Sequence, residues 1–316
     1  MLNINLPEKY DNDVLEKILD KVASNSLFNS SEMTDLERKF LNGVIRQVKP
    51  KKILEVGVAA GGGSSIMLNA IKDINDSFLY SIDYSKEYYR DTSKDTGFIV
   101  NDNFDYLKSK WKLYTGGGAA KFIEEIGPDI DLCLLDTVHA NPGEFLDFLV
   151  ILPYMKKNAV IIIHDISISD TCLTLFNCIR GEKISFNDKN ELFNNYGIGA
   201  IILDDNIMNY IFDYFFLLKL DWKYMLKDED IEDIIRVFLK VYDKKYVEFF
   251  TKIVNYQKDK IGQYFEINIK EIQYINKLSW FIPFRDIRDN FRLNKINKLK
   301  NKKIKESKKN MKYFYI

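Results

Sequence analysis

Apolar positions along this chain alternate between two rhythms up to about residue 205 and keep to one rhythm beyond it. Short unbroken apolar runs recur at "KILEV" (52–56), "FLYSID" (78–83), "WKLYTG" (111–116), "IDLCLLD" (130–136), "AVIIIHD" (159–165) and "GIGAIIL" (197–203). Runs of this length, bounded by turn-forming or charged residues, predict six strands. Between them "SSIMLNAIKDI" (64–74), "AAKFIEEI" (119–126) and "PGEFLDFLVILPYM" (142–155) predict helices, the last opened by Pro142 and stopped near Pro153. Upstream, "TDLERKFLNGVIRQVKP" reads as a helix started by a Thr34/Glu37 capping box and ended by Pro50, with Leu36, Phe40, Leu41, Val44 and Ile45 on one face. Strands alternating with helices imply an α/β fold built on a doubly wound, mostly parallel sheet.

Past residue 205, "NIMNYIFDYFFLLKLDWKYML" and "DEDIEDIIRVFLKVYDKKYVEFFTKIVNYQ" carry apolar residues at three- and four-residue spacing, so a helical extension follows the sheet. "YIFDYFFLLKL" fits a helix or a strand. Its aromatic stripe (Phe212, Phe215, Phe216, Trp222) is expected to pack onto the sheet, with a cap or an oligomer interface as the rival reading. Four segments result: an N-terminal helix (about 12–23) and loop over 1–30, an α/β domain over 31–205, the extension over 206–290 and a tail over 291–316.

Composition changes this picture in two places. The 46 basic and 46 acidic residues cancel overall, yet residues 291–316 hold ten Lys/Arg and one acid, Glu306. The tail reads as a solvated basic arm. A weak stripe of Leu293, Ile296, Leu299 and Ile304 leaves a membrane-surface contact open, and nothing else in the chain supports nucleic-acid binding. Three cysteines (Cys133, Cys172, Cys178) without metal-site spacing read as reduced thiols of a cytoplasmic protein. No signal peptide or membrane-spanning run is expected.

The candidate chemistry begins at "ILEVGVAAGGGSS", which sets Gly57, Gly61, Gly62 and Gly63 between a strand and a helix. Glycines there allow a ligand close to the backbone, and the helix start offers unpaired N–H groups. Asp83 ends the next strand, where a ribose diol could be held. Position 59 is alanine, so the G-x-G-x-x-G dinucleotide fingerprint fails. The stretch resembles instead the E-x-G-x-x-x-G motif of class I S-adenosylmethionine-dependent methyltransferases, whose sheet is Rossmann-like. That resemblance implies that Glu55 and Gly57 line the methionine end and that Gly61 lies under the cofactor. It further implies that Asp83 binds the ribose and that Thr115 and Gly116 lie near the adenine.

The chain's two histidines each follow an apolar run beside an aspartate, in "LLDTVHA" and "VIIIHDI". Neighbouring parallel strands would bring Asp136, His139, His164 and Asp165 to one rim. An imidazole can take a hydroxyl proton near neutrality, and carboxylates with an imidazole can hold a divalent cation. Each residue also has a plainer reading: His139 as a loop cap, His164 as a hydrogen-bonding support, Asp136 as a helix N-terminal acid. The D-x-x-H … H-D pattern resembles a methyltransferase subgroup related to macrocin O-methyltransferase and the cephalosporin-biosynthesis methyltransferase-like proteins. It implies methyl transfer to a hydroxyl of a small molecule or glycan, with His139 as base and Asp136, His164 and Asp165 as ligands of Mg2+ or Mn2+. His164 stands where an oxygen ligand is usual, which leaves open a softer metal, a supporting role, or no metal. A Rossmann-like oxidoreductase and a non-catalytic cofactor-binding scaffold are the rival functions, and a homo-oligomer stays open.

Overall fold

The computed structural model of the protein describes residues 3–13, 15, 33–186, 196–279, 294, 295 and 298. The helix expected over 12–23 and the basic tail lie almost wholly outside the described residues. The chain divides into two units, Met1–Ile253 and Val254–Ile316.

In the first unit the strands are β1 (Lys52–Val56), β2 (Phe78–Asp83), β3 (Glu87–Tyr88), β4 (Asp91–Asp95), β5 (Trp111–Thr115), β6 (Ile130–Leu135), β7 (Met155–His164), β8 (Gly181–Phe186) and β9 (Ile198–Leu203). Seven of them form one sheet in the order β5-β2-β1-β6-β7-β9-β8, while β3 and β4 make a separate hairpin. The first five of that order pair in parallel, and β9 runs antiparallel to both β7 and β8. The chain winds outward from β1 through β2 to β5 and then crosses back to β6. Strand order therefore reverses between β1 and β6, where such sheets bind ligands.

The doubly wound, mostly parallel sheet is as expected, with two corrections. "GIGAIIL" is antiparallel and interior, and the outermost strand is "GEKISF" (β8), which the hydrophobic pattern does not reveal. At that edge β8 has no fully buried residue, so it lacks the apolar run that marks the others.

The helices are α1 (Asp35–Val48), α2 (Gly62–Ile71), α3 (Phe98–Asn103), α4 (Ala119–Ile126), α5 (Gly143–Ile151), α6 (Asp170–Cys178), α7 (Ile211–Leu217), α8 (Asp228–Val241) and α9 (Lys244–Ser279). The capping box of α1 forms in both directions, Glu37 N–H to Thr34 Oγ1 at 3.2 Å and Thr34 N–H to Glu37 Oε2 at 2.9 Å. Its face Phe40, Leu41, Val44 and Ile45 is fully buried in one core with Ile53, Leu132 and Val160 of the sheet. Each such side chain contributes about 1.5–3 kcal/mol relative to exposure.

On the other face α5 is apolar nearly all round because α7 and α8 pack over it. The expected aromatic stripe divides. Phe215 and Trp222 are buried, Phe212 and Phe216 exposed, and Phe215 meets Phe238 of α8 and Tyr242 and Tyr246 beyond it. "YIFDYFF" is therefore helical and packs on other helices, because a 3.6-residue period turns alternate aromatics away from any sheet. The second unit begins within α9 and is described as helix to Ser279. No helix among the described residues is long and apolar enough to cross a membrane.

Candidate functional site

The carboxyl ends of β1, β2 and β6, with the loop after β5, open into a cavity of about 780 Å3. That lies within the roughly 300–1,000 Å3 usual for small-molecule sites. The floor is the turn Gly57–Ala60 with Gly62 and Gly63, one side is Asp83–Ser85 with Gly117–Lys121, and the other is Asp136–His139. Tyr224–Lys227, Asp230 and Ile234 of the helical extension supply the outer wall.

The glycine turn has its shape for reasons inside the protein. Gly57 has φ +96°, and a Cβ there would sit 1.7 Å from the Asp136 carbonyl oxygen. Only glycine lets the ends of β1 and β6 close together. Gly61, at φ +92°, touches Gly97 in the same way and does not line the cavity. Glu55 also lies away from the cavity, 1% exposed, with Ser64 and Ser81 each donating a hydroxyl to Oε2 at 2.6 Å. Burial pushes its carboxyl up to about 8 against those two hydrogen bonds.

Asp83 lines the cavity and also braces the turn. Its Oδ2 accepts the Val58 and Ala59 N–H groups at 2.9 Å, and Oδ1 accepts Ser85 N–H at 2.8 Å. Thr115 pairs in register with Asp83, and Gly116 N–H bonds Asp83 O at 3.1 Å. Neither lines the cavity, which the next residues, Gly117–Lys121, do.

The four residues expected to share a rim do so. Asp136 Oδ1 is 3.2 Å from His164 Nδ1 and 3.6 Å from His139 Nε2. Asp165 Oδ2 is 3.6 Å from the same His164 nitrogen and 3.5 Å from the same His139 nitrogen. The atoms close a ring of alternating carboxylate oxygens and imidazole nitrogens. Asp136 and His139 face the cavity, while His164 is 1% exposed.

Behind the ring, His164 Nε2 lies 3.4 Å from Glu37 Oε2 of α1. Burial opposes charge on His164, but Asp136, Glu37 and Asp165 outweigh it and raise its pKa well above the ordinary value. Burial likewise works against ionised Asp136 and is overcome by His164, so this carboxyl is lowered. Asp165 is raised, by burial first and then by Asp136. His139 itself sits at φ +51°, a conformation uncommon outside glycine.

Several groups here escape sequence reasoning. Glu144 is fully buried beneath His139, and Asp147 beside the cavity is pushed up to about 7 by burial and by Glu144. Cys172 is also buried, its thiol raised to about 12 by burial and neighbouring acids. Glu144 and Asp147 stand one turn apart in the otherwise apolar "GEFLDFLVI", a signal that the spacing alone could have given. Glu37 had none beyond its capping role, because His164 lies 127 residues away.

Residues 54–166, which hold the glycine turn, both histidines, the end of β1 and all of β2 to β7, match the model of a family described as a methyltransferase domain. Solved structures similar to the chain include the Bacillus cereus O-methyltransferase in complex with S-adenosylhomocysteine, at 15% identity, 61% of this chain, 92% of that chain and TM-score 0.45. The O-methyltransferase TomG of Streptomyces achromogenes, in complex with S-adenosylmethionine, gives 14%, 61%, 91% and 0.43. A methyltransferase from Geobacter sulfurreducens gives 16%, 61%, 90% and 0.42. No curated protein matches the chain. Tyr224–Ile234, the outer wall of the cavity, lie outside the matched methyltransferase residues.

Proposed function

We propose that the methyltransferase domain is an S-adenosylmethionine-dependent O-methyltransferase acting on a hydroxyl of a small molecule or glycan, of the D-x-x-H … H-D subgroup. The observation that carries this reading is one cavity with Asp83 on one wall and the Asp136–His139 pair on another. A ribose diol suits Asp83, since Oδ1 accepts one N–H and keeps further capacity. Gly62 and Gly63, at the start of α2, offer backbone close to the ligand. The cofactor supplies an electrophilic methyl group on a sulfonium.

In this reading His139 would take the proton of the acceptor hydroxyl, while the bound cofactor would give up its methyl group to that oxygen and depart as a neutral thioether. Asp136 and Asp165 orient the His139 imidazole and stabilise it once charged, and His164 fixes Asp136 from behind. Asp136, His164 and Asp165 do not suit Mg2+. That cation prefers oxygen, and both nitrogens of buried His164 already face carboxylates, which favours a doubly protonated ring without a lone pair to give.

The test is direct. Calorimetry should detect S-adenosylhomocysteine and not NADH, and Asp83→Ala should weaken the binding by roughly 1.5–3 kcal/mol while the protein stays folded. NADH binding with no response to S-adenosylhomocysteine would return the oxidoreductase reading.

A further inference from the structure

Glu144 uses only one of its oxygens. Oε2 accepts Thr137 Oγ1–H at 2.5 Å and His139 N–H at 3.2 Å. Oε1 is buried without a hydrogen-bond partner and lies 3.9 Å from His139 Nδ1. Cys172 Sγ lies 3.8 Å from the same nitrogen. The three atoms, one O, one N and one S, all fall within 4.8 Å of one another. A carboxylate oxygen buried without a donor is costly, and a cation would satisfy it.

We propose that Glu144 Oε1, His139 Nδ1 and Cys172 Sγ form a binding site for one divalent cation of borderline softness, of the Zn2+ class. A mixed N, O and S donor set selects such a cation over Mg2+ or Ca2+. Bonds of about 2.0–2.3 Å in a tetrahedron put donors roughly 3.3–3.6 Å apart; the two spacings to Nδ1, 3.9 and 3.8 Å, lie a little above that range, and the O–S spacing, within 4.8 Å, closes by a side-chain rotation of Glu144 or Cys172 on binding.

The surroundings match what ligands of such an ion require. His139 turns its other nitrogen toward Asp136 and Asp165, as a metal-bound imidazole turns its free N–H to a carboxylate. The second oxygen of Glu144 is already hydrogen-bonded, and Ser169 Oγ anchors the Cys172 backbone N–H. Thr137, His139 and Gly143 line the cavity, which gives a path of entry. On binding, an S–cation bond replaces the S–H bond and the proton leaves to solvent. A cation on Nδ1 removes His139 from proton transfer, so the site is inhibitory to the reaction proposed above. Its existence does not depend on that reaction.

Co2+ is the probe, added to the full-length chain freed of metal. The expected result is one equivalent bound, with a near-ultraviolet thiolate-to-cobalt band that Zn2+ abolishes by competition. The band should vanish in Cys172→Ser and persist in Cys178→Ser, the control for the exposed cysteine. Asp165→Asn should weaken binding by about 10–100-fold, the usual cost of losing a partner behind a ligand. A retained cooperative thermal unfolding transition reports that each variant is folded, and His139→Ala serves as a second ligand variant if Cys172→Ser is not. Three results would overturn the proposal: no thiolate band in the folded wild type, a band lost with Cys178, or full Co2+ affinity in Cys172→Ser. None of these bears on cofactor binding, so failure of the cation site and failure of the methyltransferase reading are separable.

Discussion

Burial pushes the Glu55 carboxyl up to about 8, and the residue's position explains why. The side chain ends in the layer under the glycine turn, where two serine hydroxyls reach one oxygen. The sign follows from linkage. A raised carboxyl makes a stabilising contribution that is complete below the unfolded value of 4.5, declines as pH rises and is gone above about 8. Glu55→Gln, neutral throughout, should unfold in urea with a shallower loss of stability across that window, with S-adenosylhomocysteine affinity unchanged. Parallel pH curves for the two proteins would show that Glu55 does not titrate with folding. Asp83, Asp136, His139 and His164 were legible in the sequence because each ends or follows an apolar strand, and a parallel sheet aligns such ends. Glu55 was legible as a motif residue, but the face it turns to is set by the pleat, which a motif does not record. Glu37 and Glu144 act through partners that only the fold brings near.

At the scale of elements, the loop from Thr137 to Gly143 carries His139 and is held from two sides. From below, Glu144 accepts the His139 N–H. From above, buried Asn141 donates to the Leu220 and Asp221 carbonyls at 2.8 and 3.3 Å, and Lys223 N–H bonds the Asn141 carbonyl at 2.8 Å. The segment between α7 and α8 is thereby tied to the loop that presents the histidine. Asn141→Ala removes both amide donations and should cost roughly 1–3 kcal/mol. Amide exchange should quicken at 137–143 and 218–224 together while β1 and β6 stay protected. Exchange that rises only at residue 141 would mean that the two segments are not coupled. None of this was visible in the pattern, since Asn141 stands just before the expected helix start at Pro142 and its partners lie about 80 residues on. The edge strand β8 was missed for a related reason: at the sheet edge it alternates only between exposed and half-buried positions. Interior strands, covered on both faces, announce themselves.

Across the whole molecule, the cavity is closed by residues that follow the last strand. Tyr84, next to Asp83, donates its hydroxyl to Asp230 Oδ2 at 3.0 Å, and Lys227 Nζ stands 4.8 Å from the centre of the Tyr84 ring. Arg236 of α8 pairs with Glu124 of α4 and with Asp233. Beneath these contacts Phe148 of α5 meets Tyr214 edge-on, and Phe215, Phe238 and Phe250 are fully buried. A chain ending at residue 205 therefore exposes the apolar outer face of α5 and loses one wall of the cavity. Several large side chains, each contributing about 1.5–3 kcal/mol, exceed the margin by which a domain of ordinary stability, roughly 5–15 kcal/mol, stays folded. The shortened chain should lose cooperative unfolding, and S-adenosylhomocysteine should not stabilise it. In the full chain, ligand at 100 times its Kd should add about 2.7 kcal/mol. A chain ending at Ser279, which keeps α7, α8 and α9, should behave as the full chain does in both measurements. If the chain ending at 205 melts cooperatively and responds to the ligand, the helices after β9 are an accessory, and the residues up to β9 make their own closed site.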